Sequence, residues 1–263
     1  MQGALKMLEF EEEIKQRLVA AAVNQQLKTA SNEFMRASIS SKYSYNFKWM
    51  GRPIIQYPQD IMAMQEIIWK TRPDVIIETG IAHGGSLILS ASMLAMLDYC
   101  DAVQNGNVLD TSKSNRKVIG VDVDIRSHNR EAIEQHQMQH LITMIEGSST
   151  DVEVVEKVKC EVGTGKKVLV SLDSNHTHEH VLAELNAYAP IVSNGSYCVV
   201  FDTVIENLPV DAFRDRPWGI GDNPMTAVGA WLEKNSNFVI DEGIDNQLLI
   251  SVAPRGFLKK LHD

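Results

Sequence analysis

Acidic residues stand where five apolar runs stop: Glu78, Asp122 with Asp124, Glu146, Asp173 and Asp202. Carboxylates are poor strand formers and costly to bury without partners. Their recurrence at the ends of β-type runs points to one shared ligand surface, because an open α/β sheet binds ligands at the carboxyl ends of its strands. Asp173 and Asp202 end strands that should lie side by side. Two hard oxygens with room for water suit Mg2+, and Asn175 could add a third. Such an ion lowers the pKa of a bound hydroxyl. His176, three residues past Asp173, could then take the proton, since a neutral imidazole is the usual base near pH 7. The segment NHTHEH (175–180) also admits a transition-metal site, with His178 and His180 as ligands, or two merely solvated histidines at a helix start.

A second constellation is DVIIETGIAHGGS (74–86). A β run ends in Glu78 and Gly80, then turns through His83, Gly84 and Gly85 into an apolar helical pattern from Ser86. Glycines let a ligand approach the backbone, and the helix start offers free N–H groups. The spacing is G-x3-G-G, not the G-x-G-x-x-G of dinucleotide folds. An acid just before the first glycine disfavours a diphosphate and suits a cationic, hydroxyl-bearing ligand, which S-adenosylmethionine (SAM) is. Asp122 would accept the ribose hydroxyls, with Asp124 as its competitor. Glu146-Gly147-Ser148-Ser149 would meet an adenine edge, or else cap the helix entered at Asp151. The residues placed at this cofactor are Glu78, Gly80, His83, Gly84, Ser86, Asp122, Ser148 and Asp173.

The elements that must position these groups can be read in outline. Strands are predicted at 75–79, 117–123, 142–146, 167–173 and 197–202. Helices are predicted between them at 86–98, 128–138, 151–162 and 178–192, and another starts near Pro224. Continuous apolar strands such as KVLVSL (167–172) indicate a parallel sheet covered on both sides. Residues 99–116 read as a polar surface insertion. Phe238–Asp241 and Gln247–Val252 read as a terminal β-hairpin. The fold class is α/β, a Rossmann-like class I methyltransferase sheet with helices on both faces. Ahead of it, residues 1–36 read as helix, with a stripe of Leu5, Leu8, Phe10, Ile14, Leu18 and Val19. That helix is a lid, an oligomer contact or a plain surface helix. Residues 40–58 concentrate Tyr43, Tyr45, Phe47, Trp49 and Tyr57, which line a pocket or brace the domain. Asp60 is expected to cap the helix that runs to about Lys70. The division is an N-terminal extension, 1–58, and a methyltransferase domain, 59–263.

With 263 residues, 44% hydrophobic and 22% charged, the chain can bury a full core. A net charge of −9 with no Lys/Arg run argues against nucleic acid as a partner. Cys100, Cys160 and Cys198 form no C-x-x-C pair, so neither zinc nor a disulfide framework is indicated. No signal peptide and no membrane span are expected, and a cytoplasmic enzyme is the default.

With these residues in hand, the chain resembles the cephalosporin hydroxylase/rhamnosyl O-methyltransferase family from about Tyr43 to Pro254. The resemblance rests on GRPIIQYPQD (51–60), IIETGIAHGGS (76–86), GVDVDIR (120–126), EGSS (146–149), LDSNHTHEHVLAELNAYAPIV (172–192) and GSYCVVFDT (195–203). It implies that Glu78, Gly80 and Asp122 hold SAM and that Asp173 and Asp202 bind a divalent ion. Relatives often carry Glu-Asp at the second metal position, where this chain has Phe201-Asp202. The resemblance implies methylation of a hydroxyl on a sugar, glycosylated metabolite or other natural product, often by a homo-oligomer. The alternatives are an iron-dependent hydroxylase, or a non-catalytic SAM-fold binding protein.

Overall fold

Two helices, α1 (Gln2–Val23) and α2 (Gln25–Ser40), precede an antiparallel hairpin of β1 (Phe47–Trp49) and β2 (Arg52–Ile54). The computed structural model describes residues 2–212 and 215–262, with side chains for residue 7 and from residue 9 onward. The alternating part follows: α3 (Pro58–Thr71), β3 (Val75–Thr79), α4 (Gly85–Asn105), β4 (Lys117–Asp122), α5 (Ser127–Glu134), β5 (Ile142–Glu146), α6 (Val152–Val162), β6 (Val168–Leu172), α7 (His178–Tyr188), β7 (Tyr197–Val200), α8 (Pro224–Leu232), β8 (Phe238–Ile240), α9 (Glu242–Leu248) and β9 (Phe257–Lys260).

Seven strands form one sheet in the order β5-β4-β3-β6-β7-β9-β8. The first five are parallel, and β9 runs antiparallel to both β7 and β8. Side chains alternate between two apolar layers, as a period of two requires. Ile76, Val118, Leu169 and Val199 face α3 and α4, while Val75, Ile77, Val170 and Val200 face α6, α7 and α8. The strand order reverses between β3 and β6, so the crevice of such a sheet opens above the ends of β3, β4, β6 and β7.

Several sequence expectations need correction. The predicted helix 86–98 runs on to Asn105, because Asp98 and Asp101 in its last turns pair with Arg116 and Arg72. By length and composition α4 could cross a membrane, against the expectation that no segment could; here Leu87, Leu94 and Leu97 pack it into the core. The helix predicted at 128–138 stops at Glu134, and the one at 178–192 at Tyr188, after which Ala189–Ile191 forms a 3-10 turn containing Pro190. The terminal hairpin is half right. Phe238–Ile240 is a strand, but its partner is Phe257–Lys260. Asp241 caps α9 across the segment expected to turn and re-enter the sheet, and Leu249 then breaks direction at φ +59.

The helix read over residues 1–36 is two helices, divided at Asn24, whose side chain caps α2. Phe10, Ile14 and Val19 are exposed, Leu18 is half-buried, and the side chains of Leu5 and Leu8 lie outside the described residues. Most of the aromatic segment packs together while Tyr45 stays exposed: Tyr43 touches Phe34, Phe47 and Tyr57, and the Tyr57 hydroxyl meets Ser38 Oγ at 2.8 Å. That arrangement is bracing.

Asp60 is not the helix cap; Tyr57 holds that position. Fully buried in the first turn of α3, the Asp60 carboxylate accepts from Ser251 Oγ at 2.5 Å and Val252 N at 3.0 Å, so it fastens the chain between α9 and β9. Burial pushes its pKa up from 3.8 to about 7. The folded state therefore holds this proton more tightly than the unfolded chain, and stability falls as pH rises from about 4 to about 7. Above that it is flat, having lost on the order of 4 kcal/mol from this group. Asn can serve both partners without a charge. Asp60→Asn is expected to melt above the wild type at pH 8 and to lose that advantage toward pH 5, in thermal unfolding followed across pH.

Candidate active site at the strand ends

Gly80 follows β3 at φ +89 and donates its N–H to Val121 O at 2.8 Å, tying the loop to β4. The next two amides, Ile81 N and Ala82 N, donate to Asp122 Oδ2 at 2.8 and 3.3 Å. Asp122 Oδ1 accepts from Asp124 N at 3.2 Å, while Asp124 itself is exposed. Of the two acids, Asp122 is therefore the one facing the loop. Gly84 caps α4 at φ +80, in contact with Ile133, where a Cβ would lie 2.4 Å from that side chain. Glu78 is buried and turned onto α4, where its carboxylate accepts from Ser90 and Ser86; burial raises its pKa. His83 and Ser86 are half-buried at the mouth of the loop.

Above β5, Glu146 is exposed and pairs with Arg130 at 2.7 Å, which turns it toward α5. Ser148 Oγ meets Thr150 Oγ1 at 3.0 Å, and Ser149 Oγ meets His180 Nε2 at 3.1 Å. Asp151 caps α6 through Glu153 N at 2.8 Å.

Parallel pairing explains how Asp173 and Asp202 meet. Leu172 pairs with Val200, and Phe201 N donates to Leu172 O at 3.0 Å, so the residues just past β6 and β7 lie abreast. Phe201 points into the core and is buried. Asp202 adopts φ +56, a left-handed conformation uncommon outside glycine but one that aspartate and asparagine take more readily than other residues; such positions collect at functional sites. His176 Nδ1 lies 3.2 Å from Asp202 Oδ2, and Nε2 lies 3.8 Å from Asp173 Oδ1. One liganding atom from each of Asp173, His176 and Asp202 falls within 4.8 Å of the others, a trio found once among the described residues.

Electrostatics sharpen this picture. Desolvation and the facing Asp202 carboxylate push the Asp173 pKa well above the usual carboxylate range, with Glu78 and Glu184 adding to the negative field. A cation at this point would relieve that repulsion. The two carboxylates therefore fit a hard divalent ion, with the His176 imidazole beside them.

Asn175, expected as a third ligand, is occupied otherwise. Its Oδ1 accepts from Thr177 N and Thr177 Oγ1, both at 3.0 Å, in a turn that leads into α7. His178 and His180 are bonded rather than solvated. His178 Nδ1 meets Thr226 Oγ1 at 2.8 Å, and His180 Nε2 meets Ser174 Oγ at 3.1 Å. Neither joins the trio with His176.

Sequence reasoning missed Trp218, whose ring stacks on His176 with centroids 4.7 Å apart and planes 30° apart. The Arg216 guanidinium lies over Trp218, 5.3 Å from the centroid of its ring. No periodicity marks this irregular stretch, so its placement against His176 had no signal beyond its being a loop after Asp202. Glu184, fully buried on α7, accepts from Ser174 Oγ at 2.6 Å and was not singled out in the sequence.

The family model described as Rhamnosyl O-methyltransferase/CmcI matches residues 41–261. Rhamnosyl O-methyltransferase from Mycobacterium tuberculosis is 28% identical over 212 residues, covering 80% of this chain and 76% of the relative. Its counterpart from Mycobacterium leprae is 29% identical over 212 residues, covering 80% and 81%. A solved structure of CmcI with Mg and SAM superposes with a TM-score of 0.53 at 18% identity, covering 82% of this chain and 77% of that one. The O-methyltransferase TomG from Streptomyces achromogenes, in complex with SAM, gives 0.50 at 12% identity over 91% of each chain. At these identities the structural likeness is one of fold, the class I methyltransferase sheet.

Proposed function

Since this chain belongs to the rhamnosyl O-methyltransferase/CmcI family and is a SAM-dependent O-methyltransferase, we propose that it methylates a hydroxyl of a sugar or glycosylated small molecule with the help of Mg2+. The relatives named as rhamnosyl O-methyltransferases support the acceptor class. The observation that carries the mechanism is the meeting of Asp173, Asp202 and His176 beside the glycine loop.

In this reading the Gly80–Ser86 turn, Ser148 and Asp122 hold SAM, with Glu78 bracing α4 from within. Asp173 and Asp202 hold the metal through their carboxylate oxygens. When bound, SAM supplies the methyl group and Mg2+ lowers the pKa of the acceptor hydroxyl. His176 Nδ1 lies 3.2 Å from Asp202 Oδ2, a contact that orients the ring and leaves Nε2 to take the hydroxyl proton. Trp218 covers one face of that ring and limits water there. Catalysis then rests on positioning the oxygen against the sulfonium methyl.

An iron hydroxylase wants two histidines and one carboxylate around its metal; this trio has the reverse ratio. Residues 1–58 act in this proposal as an extension bracing the domain of 59–263. The exposed Phe10, Ile14 and Val19 of α1 support association into a homo-oligomer, and the acidic charge supports a small-molecule acceptor rather than nucleic acid. A cytoplasmic location belongs to the same proposal.

Calorimetry tests it. SAM is expected to give heat of binding, and Mg2+ to bind the wild type but not Asp173→Asn or Asp202→Asn. Methyl transfer from labelled SAM to a rhamnoside should follow the metal. Absence of any heat with SAM would remove the reading altogether.

A further inference from the structure

The segment GRPIIQYPQD (51–60) stands out in the sequence, yet nothing above uses its arginine. Arg52 lies on β2, and its guanidinium donates twice to the His83 carbonyl, from Nε at 3.0 Å and Nη2 at 2.6 Å. Nη2 also donates to Asn129 Oδ1 at 3.0 Å. Asn129, on α5 and buried, passes the contact on: its Nδ2 donates to Ala82 O at 2.9 Å. Two successive carbonyls of the glycine loop are thus gripped by one arginine and one asparagine.

The loop needs that grip. Ala82 sits at φ +46 and Gly84 at φ +80, so the turn contains a non-glycine residue in the left-handed region, at a cost of about 1–2 kcal/mol. Asp122 holds the N–H side, through Ile81 and Ala82. Arg52 and Asn129 hold the C=O side. A peptide is planar, so fixing the Ala82 carbonyl fixes the direction of the His83 N–H on the opposite edge. The hairpin carrying Arg52 is itself anchored on both flanks. Trp49 Nε1 donates to Ser92 Oγ at 3.0 Å on α4, and His136 Nε2 meets Met50 O at 3.0 Å. A Cβ on Gly85 would lie 2.2 Å from Pro53 O, so hairpin and helix start leave no slack between them.

We propose that Arg52, acting with Asn129, is a positioning residue for the cofactor: it holds the Ala82–His83 backbone in the conformation that binds SAM. This rests on the reading that the Gly80–Ser86 turn holds SAM. Arg52 touches no reacting atom in this role. Its effect is on cofactor affinity, through a loop that would otherwise relax before each binding event.

The test is calorimetry with SAM on the full chain, beside hydrogen exchange of the 80–86 amides well below melting. Wild type should bind SAM. Arg52→Met is expected to weaken SAM roughly tenfold or more, the loss typical of hydrogen bonds to a charged group. Its loop amides should exchange faster while the sheet amides keep their protection. Arg52→Lys, which keeps the charge but loses the fork, should recover part of the affinity. Asn129→Ala should behave like Arg52→Met, and the double variant should be little worse than either, because both act on one grip. Arg52→Lys and Asn129→Ala keep the measurement available should Arg52→Met fail to fold. Unchanged SAM affinity in these variants, with wild type binding normally, would overturn the proposal. So would weakened binding accompanied by equal loss of protection throughout the sheet. No binding by wild type would instead overturn the SAM reading on which it rests.

Discussion

Replacing His176 with Ala is expected to lower the rate of methyl transfer about 10²–10⁴-fold, the usual worth of a positioned proton acceptor. SAM binding should survive, because none of the contacts of the Gly80–Ser86 turn involves this ring. The geometry sets the expectation: Nδ1 at 3.2 Å from Asp202 leaves Nε2 toward Asp173, where the acceptor oxygen would stand. The residual rate should climb with pH, as solvent hydroxide replaces the missing base. His176→Gln separates proton transfer from packing, since it retains a side chain under Trp218 but no group of suitable basicity. Rates measured at saturating SAM with a rhamnoside acceptor decide the matter. A rate within a factor of about three of wild type would exclude His176 as the base.

Gly80→Ala should be the most damaging single change to the scaffold. An added Cβ would lie 2.1 Å from the Asp173 carbonyl oxygen and 2.7 Å from its carbon, both of them backbone atoms that no side-chain rotation can clear. The residue also sits at φ +89. Overpacking and left-handed strain together are worth about 2–5 kcal/mol, or roughly 5–15 °C in melting temperature for a chain of this size. Relief requires the ends of β3 and β6 to part. That would carry Asp173 away from Asp202, so SAM binding and metal binding should fail together. Gly106→Ala is the matched control: it too has positive φ, +65, but faces open space, and should cost only about 1 kcal/mol. Equal melting temperatures for the two variants would refute the argument from the close approach.

The parallel strands were legible because each is buried on both faces and reads as an unbroken apolar run; β3 and β6 begin and end within a residue of the expectation. The acids beyond them were legible for the same reason, as breaks in those runs. Partner choice was less visible. Asn175 was assigned to a metal because its residue type allows it, yet a neighbouring threonine takes the same oxygen. Asp60 looked like a cap from its place before a helix, but its partner Ser251 lies 191 positions away, beyond any local pattern. Arg52 and Asn129 are separated by 77 positions and look ordinary singly. The end of the chain misled most: LLISV has β-type composition, while the α9 cap and the left-handed turn at Leu249 send it elsewhere.

One feature of the sheet governs the order in which the molecule can be made. β9 lies between β7 and β8, so two strands translated earlier touch only through one translated after both. On the ribosome, β3 through β7 can zip together as they emerge, but β8 has no neighbour until Phe257–Lys260 has cleared the exit tunnel. Until then β7 presents a bare edge able to recruit a strand from another nascent chain. The vulnerable interval therefore falls between the emergence of β7 and that of β9, and Lys260, whose ammonium reaches back to Pro190 O and Val192 O, latches β9 in place.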